Sequence, residues 1–169
     1  SQIAVTLSLH LASPPPGHMT PLHARWVGSL PCTATVGHSQ QVAAAGTQSG
    51  TSPRAPQDIP AHWQRFFMEQ VGSRLPVRQD DPHLYCVYCD YQSDHRGAYT
   101  MVLGHAVEPS VAVPQGMRRV RIPAGRYAQL PFDGRPEHVI NAGWSFINER
   151  WDGRSQRRYI ADFERYRPG

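Results

Sequence analysis

The sequence predicts an α+β domain: an antiparallel sheet with two helices on one face, leaving the other face free to form a groove. Three observations lead there. Apolar spacing switches between the two-residue period of strands and the three-to-four-residue period of helices, twice and in the same order. A proline stands in the first turn of each helical stretch. Turn-forming residues separate the periodic segments. The order reads strand–helix–strand–strand, then strand–helix–strand, as two related halves with one strand unaccounted for.

The elements follow in order. Residues 41–48 make an Ala-rich strand candidate. Asp58 is placed to cap a helix with Pro60 in its first turn. Ile59, Trp63, Phe66, Phe67, Val71 and Leu75 recur at helical steps until Pro76. Residues 84–91 and 98–107 read as a hairpin across the turn-rich segment Gln92 to Gly97. Residues 117–122 and 126–132 read as one strand interrupted at Pro123-Ala124-Gly125. Pro136 opens the second helix, whose apolar face is Val139, Ile140, Gly143, Trp144, Ile147 and Trp151. Gly153 ends it, and residues 159–166 form the next strand.

Composition narrows the function classes. The chain has 169 residues, 40% of them hydrophobic and 18% charged, with 16 Pro and 14 Gly. That is enough chain to bury a core without staples. The net charge is +4 and all 17 basic residues are Arg. These arginines are scattered, and the run Arg118–Arg119–Arg121 alternates sides of a strand, which argues against nucleic acid as the main partner. No apolar run is long enough to span a membrane. Cys32, Cys86 and Cys89 are an odd set for a secreted disulfide framework. Cys86 and Cys89 lie three apart on a strand, so their thiols diverge and form neither a zinc pair nor a redox pair. Free thiols suit a reducing cytoplasm. No cofactor motif is present, and His105 and His138 lack partners at metal-ligand spacing.

Residues 1–40 differ in character from 41–169 and read as an extension with a Pro-rich linker at residues 13–17. Within it, Ile3, Val5, Leu7, Leu9 and Leu11 alternate with smaller or polar residues. That is the pattern of a strand with one buried face. A strand over 3–11 would fill the open edge beside residues 159–166, as in a circular permutation. The competing reading makes residues 1–18 an upstream extension before Met19. The domain would then be truncated and inclined to form a homodimer through its open edge.

Four segments carry a family resemblance. Ile59-Pro60-Ala61-His62-Trp63-Gln64-Arg65-Phe66-Phe67 resembles a first helix. Residues 85–91 with Ser93-Asp94, Gly97-Ala98-Tyr99-Thr100 and Gly104 resemble a central hairpin. Ile122-Pro123-Ala124-Gly125-Arg126-Tyr127-Ala128 and Asp162-Phe163-Glu164-Arg165-Tyr166 resemble two strands. Together, over residues 41–169, they are similar to the GyrI-like family, the effector-binding domain of AraC-type regulators. The resemblance implies two strand–helix–strand–strand halves with a ligand cleft between them, and binding of hydrophobic, often cationic compounds. With no helix-turn-helix pattern, the chain resembles the stand-alone members, some coded on mobile gene cassettes. It departs from the family in its long N-terminal stretch and in having no apolar strand after Tyr166.

Site candidates come from the residues and the resemblance together. On the strand from Tyr159, Glu164 and Tyr166 share one face and Phe163 takes the other, toward the helices. The resemblance makes Glu164 the central anion of the pocket. A carboxylate uncompensated in an apolar cleft is costly, and a cationic ligand would relieve that cost. Among Tyr88, Tyr91, Tyr99, Tyr127 and Tyr166, the preferred ligand-binding pair is Tyr88, on the Leu84–Cys86–Asp90 face of its strand, and Tyr166, which neighbours Glu164. Tyr127, in a segment that carries the resemblance, and Trp144, beside Gly143, are further candidates. Such rings attract cations by about 0.5–2 kcal/mol each. Trp63, Phe66, Phe67 and Ile147 read as core. Ser93, Asp94 and His95 sit side by side in a loop and cannot form a catalytic relay. The reading is a stand-alone protein that senses or sequesters amphipathic, cationic aromatic compounds, a multidrug-type binder rather than an enzyme. Its rivals are a hydrolase of cyclopropane-type toxins, with Glu164 as general base and Tyr88 or Tyr166 orienting substrate, and a gyrase-inhibitor-like partner protein.

Overall fold

The computed structural model describes residues 2–12 and 55–168, together with the strand segments 25–27, 30–32, 35–39 and 42–48. The strands are β1 (Ile3–His10), β2 (Arg25–Val27), β3 (Leu30–Cys32), β4 (Thr35–Ser39) and β5 (Val42–Gln48), then β6 (Leu84–Cys89), β7 (Thr100–Ala106), β8 (Arg118–Ile122), β9 (Gly125–Gly134) and β10 (Ala161–Tyr166). The helices are α1 (Ala55–Met68) and α2 (Pro136–Glu149). Apart from the β2–β3 ribbon, the strands form one sheet in the order β4-β9-β1-β10-β6-β7-β5-β8. Every pairing is antiparallel. The α+β class, the two-helix plan and the duplicated halves are all present.

The duplication is visible in the strand order. Read outward from the central pair β10 and β6, each half gives the strand after its helix, then one more strand, then the strand before its helix. In the first half the middle place belongs to β7, and in the second it belongs to β1. The alternating residues at the N-terminus therefore sit inside the sheet. Val5 pairs with Tyr166 of β10 and with Phe132 of β9. Val5, Leu7, Leu9 and Leu11 are buried with Leu130, Phe132, Phe146, Ile147 and Trp151. Strands on both sides of residue 41 join this one sheet, and the edge of β10 that invited a homodimer is covered by β1.

β8 and β9 are separated by two residues yet lie near opposite ends of the strand order. Two residues reach only about 7–10 Å, so the sheet must curl back on itself. The registers explain how. Ser39 pairs with Gly125 and Val42 with Ile122, so the β4–β9 and β5–β8 pairings keep one common register on either side of residues 123–124. The single interrupted strand expected over 117–132 is this β8–β9 pair.

Curling gives the sheet's two faces separate cores, and this corrects the expected layout. The helix-free face is not a groove: it closes over Tyr85, Val87, Cys89, Val102, Val120, Ile122, Tyr127 and Phe163. Phe163 points there, away from the helices. On the helix-bearing face, Phe66 of α1 packs with Cys86, Tyr88, Met101 and Leu103 of the sheet, and Phe146 and Ile147 of α2 pack with Leu7 and Leu130.

Three local expectations also change. α1 begins at Ala55, so Asp58 lies within it rather than at its cap, and Pro60 is interior. Helix α1 ends at Met68, before a left-handed Gln70 (φ 52°) and a short 3₁₀ turn over Val71–Arg74. Phe67 is not core: it is 61% exposed, one 100° step around the helix from buried Phe66. It stacks on Trp63 instead.

Candidate functional site

A cleft of about 200 Å³ opens on the helix-bearing face. Ile59 of α1 and Ile140, Asn141, Trp144 and Asn148 of α2 form its upper walls. Tyr88 of β6 forms the floor with Tyr91, His95, Tyr99 and Arg157. The helix spacing explains the α2 wall: residues 140, 141, 144 and 148 recur on one stripe. On the neighbouring stripe, Val139, Gly143, Phe146 and Ile147 are buried. Gly143 allows this close approach: a Cβ there would stand 2.8 Å from Leu7 Cδ1, and the Leu7 side chain would have to shift to admit it.

Glu164 lies behind this cleft, only 1% exposed. The sheet register explains its burial. Its cross-strand neighbours are Leu7 on β1 and Cys86 on β6, so apolar or weakly polar side chains flank it on both sides. The carboxylate is nevertheless well served. Tyr88 donates its hydroxyl to Oε1 at 2.9 Å, and Trp144 donates its indole N–H to the same oxygen at 2.7 Å. Tyr166 donates to Oε2 at 2.5 Å, and the Cys86 thiol is a further hydrogen-bonding neighbour. An ionised carboxylate offers about four acceptor positions, so four donors can saturate it. Burial pushes the Glu164 carboxyl above its ordinary range, and the bonds from Tyr166, Trp144, Tyr88 and Cys86 oppose that. The expectation of an uncompensated carboxylate is thus corrected: its compensation is built from the aromatic residues themselves.

A second buried charge lies two residues away on the same face of β10. Asp162, fully buried, accepts from Tyr91 at 2.8 Å, from Arg157 Nη2 at 2.9 Å and from the backbone N–H of His10 at 3.0 Å. Arg157 also donates from Nη1 to Asn148 Oδ1 at 2.7 Å. Its guanidinium lies 4.4 Å from the Tyr159 ring centroid and 5.9 Å from that of Trp144. This ion pair gives the cleft a second polar end.

The structure brings Glu164, Tyr88, Tyr166 and Trp144 together. Tyr166 is packed behind the cleft rather than on its wall, with the Trp63 ring edge-on at 5.3 Å. Tyr127 lies elsewhere. It points to the closed core, 1% exposed, stacked on His10 and donating to the Pro123 carbonyl. On β9 the residues facing α2 are Ala128, Leu130 and Phe132, so strand parity turns Tyr127 away. Cys86 and Cys89 are both buried and face different cores.

Asp162, Arg157 and Asn148 escape sequence reasoning. Asp162 shares the parity of Glu164, and that was the available signal. Arg157 sits at the end of the 3₁₀ turn Asp152–Gln156, where no period exists to assign it a face. His95, discounted for catalysis, stands on the cleft wall because Asp94 shapes the turn around it through the backbone N–H of Arg96.

The fold and the cleft between two helix-bearing halves define an effector-binding module. The family comparison agrees: residues 38–169 match the model of the integron-associated effector binding protein family, Cass2, and the chain belongs to it. Among solved structures, the integron cassette protein VCH_CASS2 from the mobile metagenome of Vibrio cholerae is similar, with a TM-score of 0.55 and 15% identity. That alignment covers 87% of this chain and 97% of that one. YobU of Bacillus subtilis (strain 168), provisionally named a transcriptional regulator protein, is 28% identical over 109 residues, 64% of this chain and 68% of YobU. β1 lies outside the range matched to the family. Among the described residues, no helix is long and apolar enough to cross a membrane.

Proposed function

We propose that this protein binds compact, amphipathic aromatic cations and acts by sensing or sequestering them. The observation that carries the reading is the Glu164 carboxylate held behind the ring wall of the cleft by Tyr88 and Trp144. A positive ligand group against those rings gains cation–π attraction, and the buried anion behind them adds a field that low dielectric screens little. The cleft is below the roughly 300–1,000 Å³ usual for drug-sized ligands, which favours a small ligand or one that parts α1 from α2. Membership of an effector-binding family and the regulator-like name of YobU support a sensing role. The two free buried thiols suit a reducing cytoplasm.

Binding suits Glu164 better than general-base chemistry. A base must accept a proton from a water or substrate within hydrogen-bond reach, and here both carboxylate oxygens already accept from ring donors. The test is a thermal-shift screen with aromatic cations and neutral compounds of the same shape. A ligand at one hundred times its Kd adds about 2.7 kcal/mol, which raises the melting point by roughly 5–10 °C for a chain of this size. A panel in which no aromatic cation shifts the melting point contradicts the reading.

A further inference from the structure

Arg157 lines the cleft, yet its side chain is only 1% exposed. Two of its three nitrogens are committed: Nη2 to Asp162 and Nη1 to Asn148. Its Nε is buried and has no hydrogen-bond partner among the described residues. Buried polar groups are nearly always paired, so an exception on a cleft wall calls for an explanation. The guanidinium is also held firmly, by Asp162 from one side and by the Tyr159 ring at 4.4 Å, so its remaining N–H has a fixed direction.

We propose that Arg157 Nε, which has almost no exposed surface, is uncovered when a ligand enters the cleft and becomes its second anchor, donating to a neutral acceptor oxygen such as a carbonyl at the end of the ligand away from its cationic group. This rests on the binding role proposed for the cleft. Trp144 separates the two anchors: its indole N–H bonds Glu164, while its ring faces the Arg157 guanidinium at 5.9 Å. A ligand lying along Trp144 would have its cationic end toward Glu164 and its acceptor end toward Arg157. The acceptor is neutral rather than anionic because Asp162 already balances the Arg157 charge. A ligand carboxylate would bring a second anion to an ion pair that needs none.

The test uses a matched pair of probes, 4-acetylbenzyltrimethylammonium and 4-isopropylbenzyltrimethylammonium, which share shape and charge and differ in the carbonyl. Calorimetry on the intact protein should show the acetyl compound binding about tenfold more tightly, the worth of a hydrogen bond from a charged donor. Arg157→Lys keeps a cation beside Asp162 but lacks the Nε donor, and it should reduce the ratio to within about twofold while both probes still bind. If that variant does not fold, the ratio on the unaltered protein decides alone. Equal affinity of the two probes for the unaltered protein, with Glu164→Gln weakening both, overturns this inference and leaves the cation-binding role standing. Failure of both probes to bind overturns the two together.

Discussion

The indole N–H of Trp144 reaches Glu164 Oε1 at 2.7 Å, so one hydrogen bond ties helix α2 to β10 at the centre of the sheet. Trp144→Phe keeps an aromatic ring and removes that donor. A hydrogen bond to a charged group contributes about 1.5–3 kcal/mol, so the melting point should fall by roughly 3–12 °C. A fall below about 1 °C would mean that the bond does not hold α2 to the sheet.

The second prediction concerns pH. Burial raises the folded-state pKa of Glu164 above its ordinary 4.5. A carboxyl with a raised folded pKa favours the native state while protonated. That contribution is fully present below 4.5 and is lost as pH rises through the folded value. Glu164→Gln removes the titration, so it should gain stability relative to the parent as pH rises from about 4 toward 8. Urea unfolding across that range reads the difference directly. A difference independent of pH would show that Glu164 titrates at its ordinary value.

Much of this site was legible in the sequence, and the boundary between what was and was not has physical causes. Glu164 could be found because a strand of period two fixes which residues share its face. Trp144 and Tyr88 follow from helical and strand spacing in the same way. The N-terminal strand was readable from alternation alone. What spacing cannot give is which side of a curled sheet lies open. Phe163 accordingly turns away from the helices, and the face expected to form a groove closes on itself. The resemblance of its segment points to Tyr127, but the parity set by Ala128, Leu130 and Phe132 turns that ring into the closed core. Arg157 lies in a turn without period, and its pairing with Asp162 depends on chain geometry that no pattern encodes.

Leu7 provides the third prediction. It is fully buried, pairs across to Leu130 on β9 and to Glu164 on β10, and touches the site from the sheet side. Leu7→Ala should cost about 2–5 kcal/mol by urea denaturation. A cost below about 1 kcal/mol would mean that β1 contributes little to the core and to the packing around Glu164.

The fourth prediction concerns the thiols. Burial pushes the Cys86 thiol well above its ordinary range, and the Glu164 charge adds to that. Burial likewise raises Cys89, to about 11. Only thiolate reacts readily. Alkylation followed by peptide mass spectrometry should find Cys86 and Cys89 unmodified in the native protein and fully modified in urea. Rapid labelling of Cys86 in the native state would mean that the region behind the cleft opens to solvent.

The central claim is that Glu164 makes the cleft a cation site, and a charge-for-charge comparison tests it most directly. The two ligands are 4-isopropylbenzyltrimethylammonium and its neutral isostere, in which a quaternary carbon replaces the nitrogen. Calorimetry should show the unaltered protein preferring the cation by about tenfold or more. In Glu164→Gln that preference should fall several-fold, to what the rings alone supply, with the neutral compound's affinity unchanged. Equal affinities in the unaltered protein, or a preference that survives Glu164→Gln intact, would contradict the account.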